Sequence, residues 1–465
     1  MPSAKEVDPP PLLAGEETPV ESAATLQGTE GLDELSAPSP VAIHEEGPSL
    51  EQRQSIPHPD RPAQDERRHD LEGAREEEAR PPAAAKLINA SKIYIASYLV
   101  FFSILGTLAR LGLQAITIYP GAPIALGEIW ANVGGTLIMG FLAEDRSLFQ
   151  RDLAPATQRS QKHNGGKEQL KKEHTAIKKT IPAYIGLSVG FCGSFTTFSS
   201  FMRDAFLALS ADLNTAATSS AGQTSPPTPR PRNPGYSIEA LLAVLILELA
   251  ASLGALSLGA HLALLLETAL PAPRHARAER NSTTTTTNTP PKSKSKSKPT
   301  PTRSLLDPLV AALAWPAWLG AVIMAVRPPR DAWRGQAVFA LVFAPAGCLA
   351  RYHLSLWLNA RAPRFPLGTF AANVAGTLVL GVCFDLQRGG GSTSVVGCQV
   401  LQGVMDGFCG CLTTVSTWVL ELKTLRRRHA YVYGAVSLAA GVGGLVVVMG
   451  SVRWTVGFGA VGCKT

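Results

Sequence analysis

Two stretches of this chain carry glycines, hydroxyls and aromatics where a lipid-facing helix would carry leucine and isoleucine. One is Gly190–Asp204, GFCGSFTTFSSFMRD, and the other is Gly407–Glu421, GFCGCLTTVSTWVLE. Each reads GFCG, then a Thr-Thr pair (Thr196-Thr197 and Thr413-Thr414), then an acid seven residues after the second Thr. In the first, Phe198 and Phe201 share one helical face, with Thr196, Thr197, Ser199 and Ser200 around them. Such hydroxyls either donate to a small anion or bond back along their own helix. A Phe pair at this spacing packs, or turns its positive ring edges weakly towards an anion. Weak contacts suit conduction, because an ion must leave as readily as it enters. The Gly and Thr content also permits a helix break, whose freed carbonyls could hold a cation.

Four more polar residues fall inside apolar runs. Arg110 and Arg351 either snorkel to an interface, pair within a helix bundle, or attract an anion. Asn132 and Asn373 either bond between helices or offer an NH2 in place of a water donor. No carboxylate repeats beside them, so the repeated groups supply mainly donors and positive charge, which favours an anion. The seven cysteines mostly lie in apolar segments, without CxxC spacing or His partners, and read as packing residues. No phosphate-binding glycine loop and no catalytic Cys-His arrangement is present, so the chain is not expected to be an enzyme.

Residues of this kind need a membrane scaffold to hold them. The 465 residues are 45% hydrophobic and only 17% charged, and a mean hydropathy of +0.10 understates the bias because tails and loops dilute it. Nine stretches, roughly 92–118, 123–143, 181–210, 236–266, 305–326, 335–360, 366–386, 396–422 and 430–456, are long and apolar enough to span a bilayer. The fold class expected is an all-α polytopic membrane protein. The Pro-, Glu- and Ala-rich region 1–88 has no signal-peptide core and reads as a disordered cytosolic tail. The formal charge of +7 clusters in loops: 146–180, the Lys-Ser tract within 267–304, and Lys423 with Arg426–Arg428. This is the positive-inside pattern rather than a nucleic-acid surface, and it puts the N-terminus in the cytosol and the C-terminus outside. Arg327, Arg330 and Arg334 are the local exception. The sequon at Asn281 then faces the cytosol and stays unglycosylated, and 211–235 and 281–303 are low-complexity connections.

The spans repeat. Gly106–Arg110 (GTLAR) aligns with Gly347–Arg351 (GCLAR), and Ala131–Leu137 (ANVGGTL) with Ala372–Leu378 (ANVAGTL). The interval from Arg to Asn is 22 residues in both copies. A four-helix unit over 89–266 is thus followed by the loop 267–304, a linker helix within 305–334, and a second four-helix unit over 335–465. One extra crossing turns the second unit over. The expected architecture is two inverted four-helix repeats joined by a single helix, with the functional pathway at their interface.

The ordered set GxxxR, PxGTxxxNxxGT and GFxGxxTTFSxF followed by an acid resembles the fluoride channel family known as CrcB or Fluc. The duplicated nine-helix form resembles the eukaryotic fluoride export proteins. The resemblance covers both units but not the tail or the long loops. It implies an antiparallel assembly, here within one chain and so a functional monomer, with two narrow pores and a structural sodium ion. By position, Asn132 and Asn373 are the pore amides. Phe198, Phe201, Thr197 and Ser199, with Thr414, Ser416 and Trp418, line the fluoride path. The sodium is held by main-chain carbonyls near Phe195, Thr196, Leu412 and Thr413.

The copies are not identical. Val415 and Trp418 stand where the first copy has Phe198 and Phe201, Glu128 stands opposite Thr369, and Glu248 has no match in the ninth span. Drawing one aromatic from each copy gives one pathway with Phe198 and Trp418, expected to conduct, and one with Val415 and Phe201, expected to be vestigial. The function expected is passive fluoride export across the plasma membrane. The alternatives are a proton-coupled carrier on an inverted repeat, with Glu248 as coupling residue, and a non-transporting scaffold.

Overall fold

The computed structural model describes residues 82–459 apart from most of 118–125 and 146–173, all of 214–232, 270–300 and 390–393, and parts of 329–332. The tail, the low-complexity connections, the sequon and much of the basic 146–180 loop lie outside the described residues. What is described is helical throughout. Eight helices are long and apolar enough to cross a membrane: α1 (Lys92–Thr117, the apolar part of Pro82–Thr117), α3 (Pro182–Leu209), α4 (Pro234–Ala269), α5 (Leu306–Val326), α6 (Arg334–Arg361), α7 (Leu367–Arg388), α8 (Val395–Thr424) and α9 (Arg427–Thr455). Between α1 and α3 stands α2, Ile129–Glu144, which differs from the expected span 123–143. Its 16 residues rise about 24 Å, short of the hydrocarbon thickness of about 30 Å. The sequence before it carries the poor helix formers Pro120, Gly121 and Pro123.

Burial separates an interior helix from a peripheral one. Within α3, 83% of the apolar window is buried, against 11% for α5. α5 lies against α1 and α6, with Trp315 donating to Ser97 and Trp318 to the Val342 carbonyl, and leaves most of its apolar surface outward. α2 and α4 touch backbone to backbone: a Cβ on Gly140 would lie 2.1 Å from the Leu256 carbonyl oxygen, and one on Gly259 1.9 Å from that of Leu137. Small residues allow this approach, which dispersion then rewards. Five described cysteines, 192, 348, 383, 409 and 411, are free and buried, as packing residues are, whereas Cys398 is disulfide-bonded.

The helices that matter most are not continuous. In α3 a π-helical segment, Gly186–Cys192, leads into one turn, Gly193–Phe195, after which Thr196 (φ −93°, ψ 151°) and Thr197 (φ −143°, ψ 125°) are extended and Phe198–Leu209 resumes the helix. In α8 the π segment is Val404–Cys409, the turn is Gly410–Leu412, Thr413 (φ −97°, ψ 154°) is extended, and Ser416–Thr424 resumes. Two adjacent β-branched threonines after a glycine-rich turn prefer that extended geometry. The break the sequence permits is therefore made, twice and in the same register.

Candidate functional site

A helix break inside a membrane leaves backbone groups without partners, and each copy supplies the other's. The Thr413 hydroxyl accepts from the Phe198 and Ser199 amides (3.1 and 3.0 Å) and donates to its own Cys409 carbonyl (2.9 Å). The Thr196 hydroxyl accepts from the Val415 and Ser416 amides (3.3 and 3.2 Å) and donates to Cys192 (3.0 Å). A hydroxyl has one donor and two lone pairs, so both threonines are saturated. The second threonine of each pair caps its own helix: Thr197 accepts from Ser200 and Thr414 from Thr417, both at 3.5 Å. The Thr-Thr motif thus divides its work, the first residue capping across the molecule and the second locally.

The two asparagines hold the extended strands between half-helices. Asn132 Oδ1 accepts from the Thr197 amide (2.8 Å) and its Nδ2 donates to the Thr197 carbonyl (3.4 Å). Asn373 does the same for Thr414, at 2.8 and 3.2 Å. They differ in the remaining amide hydrogen. Asn132 Nδ2 also donates to Glu248 Oε1 at 3.0 Å, while no second acceptor for Asn373 Nδ2 exists among the described residues.

Arg110 and Arg351, both buried, cross to the opposite copy. Arg110 Nη2 donates to the Asp406 carbonyl and Arg351 Nη2 to the Val189 carbonyl (2.8 Å), while Arg351 Nε donates to the Cys411 carbonyl of its own copy (2.9 Å). Val189 and Asp406 each lie seven residues before the first threonine of the pair, so the contacts correspond. Val189 and Asp406 both lie in the π segments. The second glycine of each GFCG makes room for the visiting guanidinium: a Cβ on Gly193 would meet Arg351 Nη1 at 1.9 Å, and one on Gly410 would meet Arg110 Nη1 at 2.3 Å. Both arginines bond within the bundle, and Arg110 Nε and Nη1 are buried without partners among the described residues.

Phe198 and Trp418 come together with ring centroids 5.3 Å apart at 68°, both buried, and Phe198 and Phe201 stand 5.9 Å apart at 84°. A Cβ on Gly441 of α9 would meet Phe198 Cε1 at 3.2 Å, which puts this aromatic pair beside the second unit's last helix. Trp418 Nε1 is buried and has no hydrogen-bond partner among the described residues. Ser199 and Ser416 hydroxyls reach towards the Cys409 and Cys192 carbonyls at 3.5 and 3.3 Å, and Thr197 and Thr414 lie 3.2 and 3.3 Å from them.

The acids beyond the threonines have different surroundings. Glu421 accepts from Thr369 and from the Tyr433 hydroxyl, both at 2.6 Å. Its counterpart Asp204 is paired with Arg203 (2.9 Å), which stands 3.7 Å from Glu128. Glu128 Oε2 and Glu248 Oε2 are buried without partners among the described residues. One half of the site is acid-crowded and the other is not.

Phe195, Thr196, Leu412 and Thr413 are all buried. They sit at C-terminal ends of helical segments, where the helix dipole is negative. Neutral oxygens in this setting suit a hard monovalent cation, and no cluster of His, Cys, Asp or Glu able to hold a metal occurs among the described residues.

The reciprocal caps, the exchanged Arg contacts, the Asn–Glu248 bond and the Glu421–Tyr433 pair escaped sequence reading. Only the TT register and the repeated GFCG hinted at them.

These features define a polytopic helical membrane protein whose two broken helices complete each other at its centre. The chain belongs to the CrcB family, described as CrcB-like protein, Camphor Resistance (CrcB), which matches residues 97–228 and 338–452. Fluoride export protein 1 of Neurospora crassa is 49% identical over 391 residues, 80% of this chain and 69% of that protein. Fluoride export protein 1 of Candida albicans is 32% identical over 366 residues, 77% and 80% of the two chains. Fluoride-specific ion channel FluC 1 of Symbiobacterium thermophilum is 37% identical over 113 residues, 23% of this chain and 89% of its own length. No solved structure matches the chain.

Proposed function

We propose that the protein is a passive fluoride channel that exports cytosolic fluoride across the plasma membrane, with its N-terminus in the cytosol and its C-terminus outside. Membership of the family and the names of its relatives set the ion. The observation that carries the reading to particular residues is the buried, unpartnered indole N–H of Trp418 beside the Phe198 ring and near α9. A buried donor without an acceptor is costly, and a passing anion supplies the acceptor. The free amide hydrogen of Asn373 offers a second donor in the same unit as Trp418. The path proposed runs by Phe198, Trp418, Asn373 and the hydroxyls of Thr414 and Ser416, and the path by Val415, Phe201 and Asn132 is vestigial.

The two units are taken to be inverted four-helix repeats, with α5 as the linker that turns one over, in a functional monomer. The exchanged contacts support this, since each holds with the copies interchanged, and a bacterial relative spans only about one unit. Helix ends that the inverted arrangement places on one face meet: Arg453 with Asp212 at 2.5 Å, and Gly459 with the Arg388 carbonyl at 2.8 Å. A disulfide at Cys398, assigned outside, suits an oxidising compartment. A sodium ion held by the carbonyls of Phe195, Thr196, Leu412 and Thr413 would supply positive charge that ties the two breaks together.

Liposomes holding only the purified protein should release fluoride down its gradient, and the flux should ignore an imposed proton gradient. A folded protein without flux would overturn the channel reading. Phe198→Ala should stop the flux and Phe201→Ala should spare it. The reverse pattern would assign conduction to the other path.

A further inference from the structure

Asn132 and Asn373 occupy the same register, bond the same backbone groups, and part company at one hydrogen. The Asn132 hydrogen that would face an anion is spent on Glu248 Oε1 at 3.0 Å. Glu248 is buried on α4, and the register of α4 against α9 identifies its counterpart. Leu256 lies over Gly140 and Leu445 over Gly381, so the residue eight before each is Glu248 in one copy and Ser437 in the other. The Ser437 hydroxyl turns back on its own helix, donating to the Tyr433 carbonyl at 2.7 Å, and leaves Asn373 alone. The geometry points to Glu248 as a built-in plug: its carboxyl oxygen takes the place of the transported anion on Asn132 and closes the vestigial path. This rests on the fluoride reading and adds what shuts one path.

Three properties make the plug effective. The oxygen accepts from the amide whether the carboxyl carries a proton or not, because the carbonyl oxygen of a carboxylic acid is also an acceptor. It is tethered, so it occupies the donor without the translational cost that a free ion must meet. Its neighbours reinforce it: Glu128, four residues before Asn132, and Asp204 face one guanidinium, Arg203, which already pairs with Asp204. Thr369 takes the place of Glu128 in the other unit, and there the single acid Glu421 is held by Thr369 and Tyr433.

The test removes the open path and then unplugs the closed one. Asn373→Ala should abolish fluoride flux from liposomes. Adding Glu248→Ser, the residue found in the other copy, should restore at least about a tenth of the wild-type rate, since a site donor freed of a competing acceptor is worth about tenfold or more. A further Asn132→Ala should abolish it again. Glu248→Gln should not restore flux, because its carbonyl oxygen still reaches Asn132, and restoration by Gln would overturn occupancy in favour of charge. In the wild-type background, Glu248→Ser should add a second single-channel conductance level. Folding of each variant is read by thermal unfolding and monodispersity. If Asn373→Ala with Glu248→Ser folds and stays silent, and Glu248→Ser alone adds no level, the plug is refuted. Wild-type flux in the same liposomes reports the fluoride reading separately, and its absence overturns both.

Discussion

Trp418 is the residue in which packing and ligand binding can be separated by one atom. Its ring lies against Phe198 while its N–H lacks a partner, so Trp418→Phe keeps the apolar body and deletes the donor. Flux should persist, with half-saturation at about tenfold higher fluoride, the loss of one hydrogen bond to an ion. An unchanged fluoride dependence would assign the indole to packing alone. Gly410 makes a sterically cleaner case. A methyl there collides with the Arg110 guanidinium, whereas one on Gly443 meets open space. Gly410→Ala should cost about 1–3 kcal/mol, read as a lower unfolding temperature, while Gly443→Ala should change little. The glycines of GFCG were legible in the sequence as unusual, but their reason was not, because the arginine that needs the room is in the other copy.

At the scale of the element, the broken helices depend on each other. Thr413→Ala removes the acceptor for two amides of α3, and Thr196→Ala does the same to α8. Each should destabilise the protein by about 1–2 kcal/mol, with serine at either position restoring most of it, as expected of caps. The two losses should not add, since both breaks share one hydrogen-bonded cluster, and a double-mutant cycle measures the coupling. The carbonyls left between the caps make a further prediction. Replacing sodium by N-methylglucamine during purification should lower the unfolding temperature and abolish flux, and sodium should restore both. An unfolding temperature indifferent to sodium would rule out the ion there.

For the whole molecule, the property to test is the proposed inversion of one unit against the other. Protease protection of terminal tags in sealed right-side-out vesicles should leave an N-terminal tag intact and cut a C-terminal one. Protection of both would remove the odd crossing and with it the inversion. The apolar outer face of α5, with Leu309, Leu313, Leu319 and Ile323 exposed, is what a linker helix facing lipid presents. Of the arginines that depart from the charge rule, Arg330 lies over the Trp333 ring and Arg334, the first residue of α6, donates to Gln399.

Hydropathy, loop charge and two aligned sets of motifs determined the helical membrane class, the repeat and the family, because each is written in residues close together along the chain. The same reading located the breaks, since glycine and paired threonines set backbone preference locally. It could not say what the arginines, the asparagines or Glu248 touch. Those partners lie tens to hundreds of residues away, and only the packing of one copy against the other brings Arg110 to Asp406, Thr196 to Val415 and Glu248 to Asn132. The tertiary structure alone decided that two near-identical asparagines differ in a single hydrogen bond, because that difference is made by a helix neither asparagine belongs to.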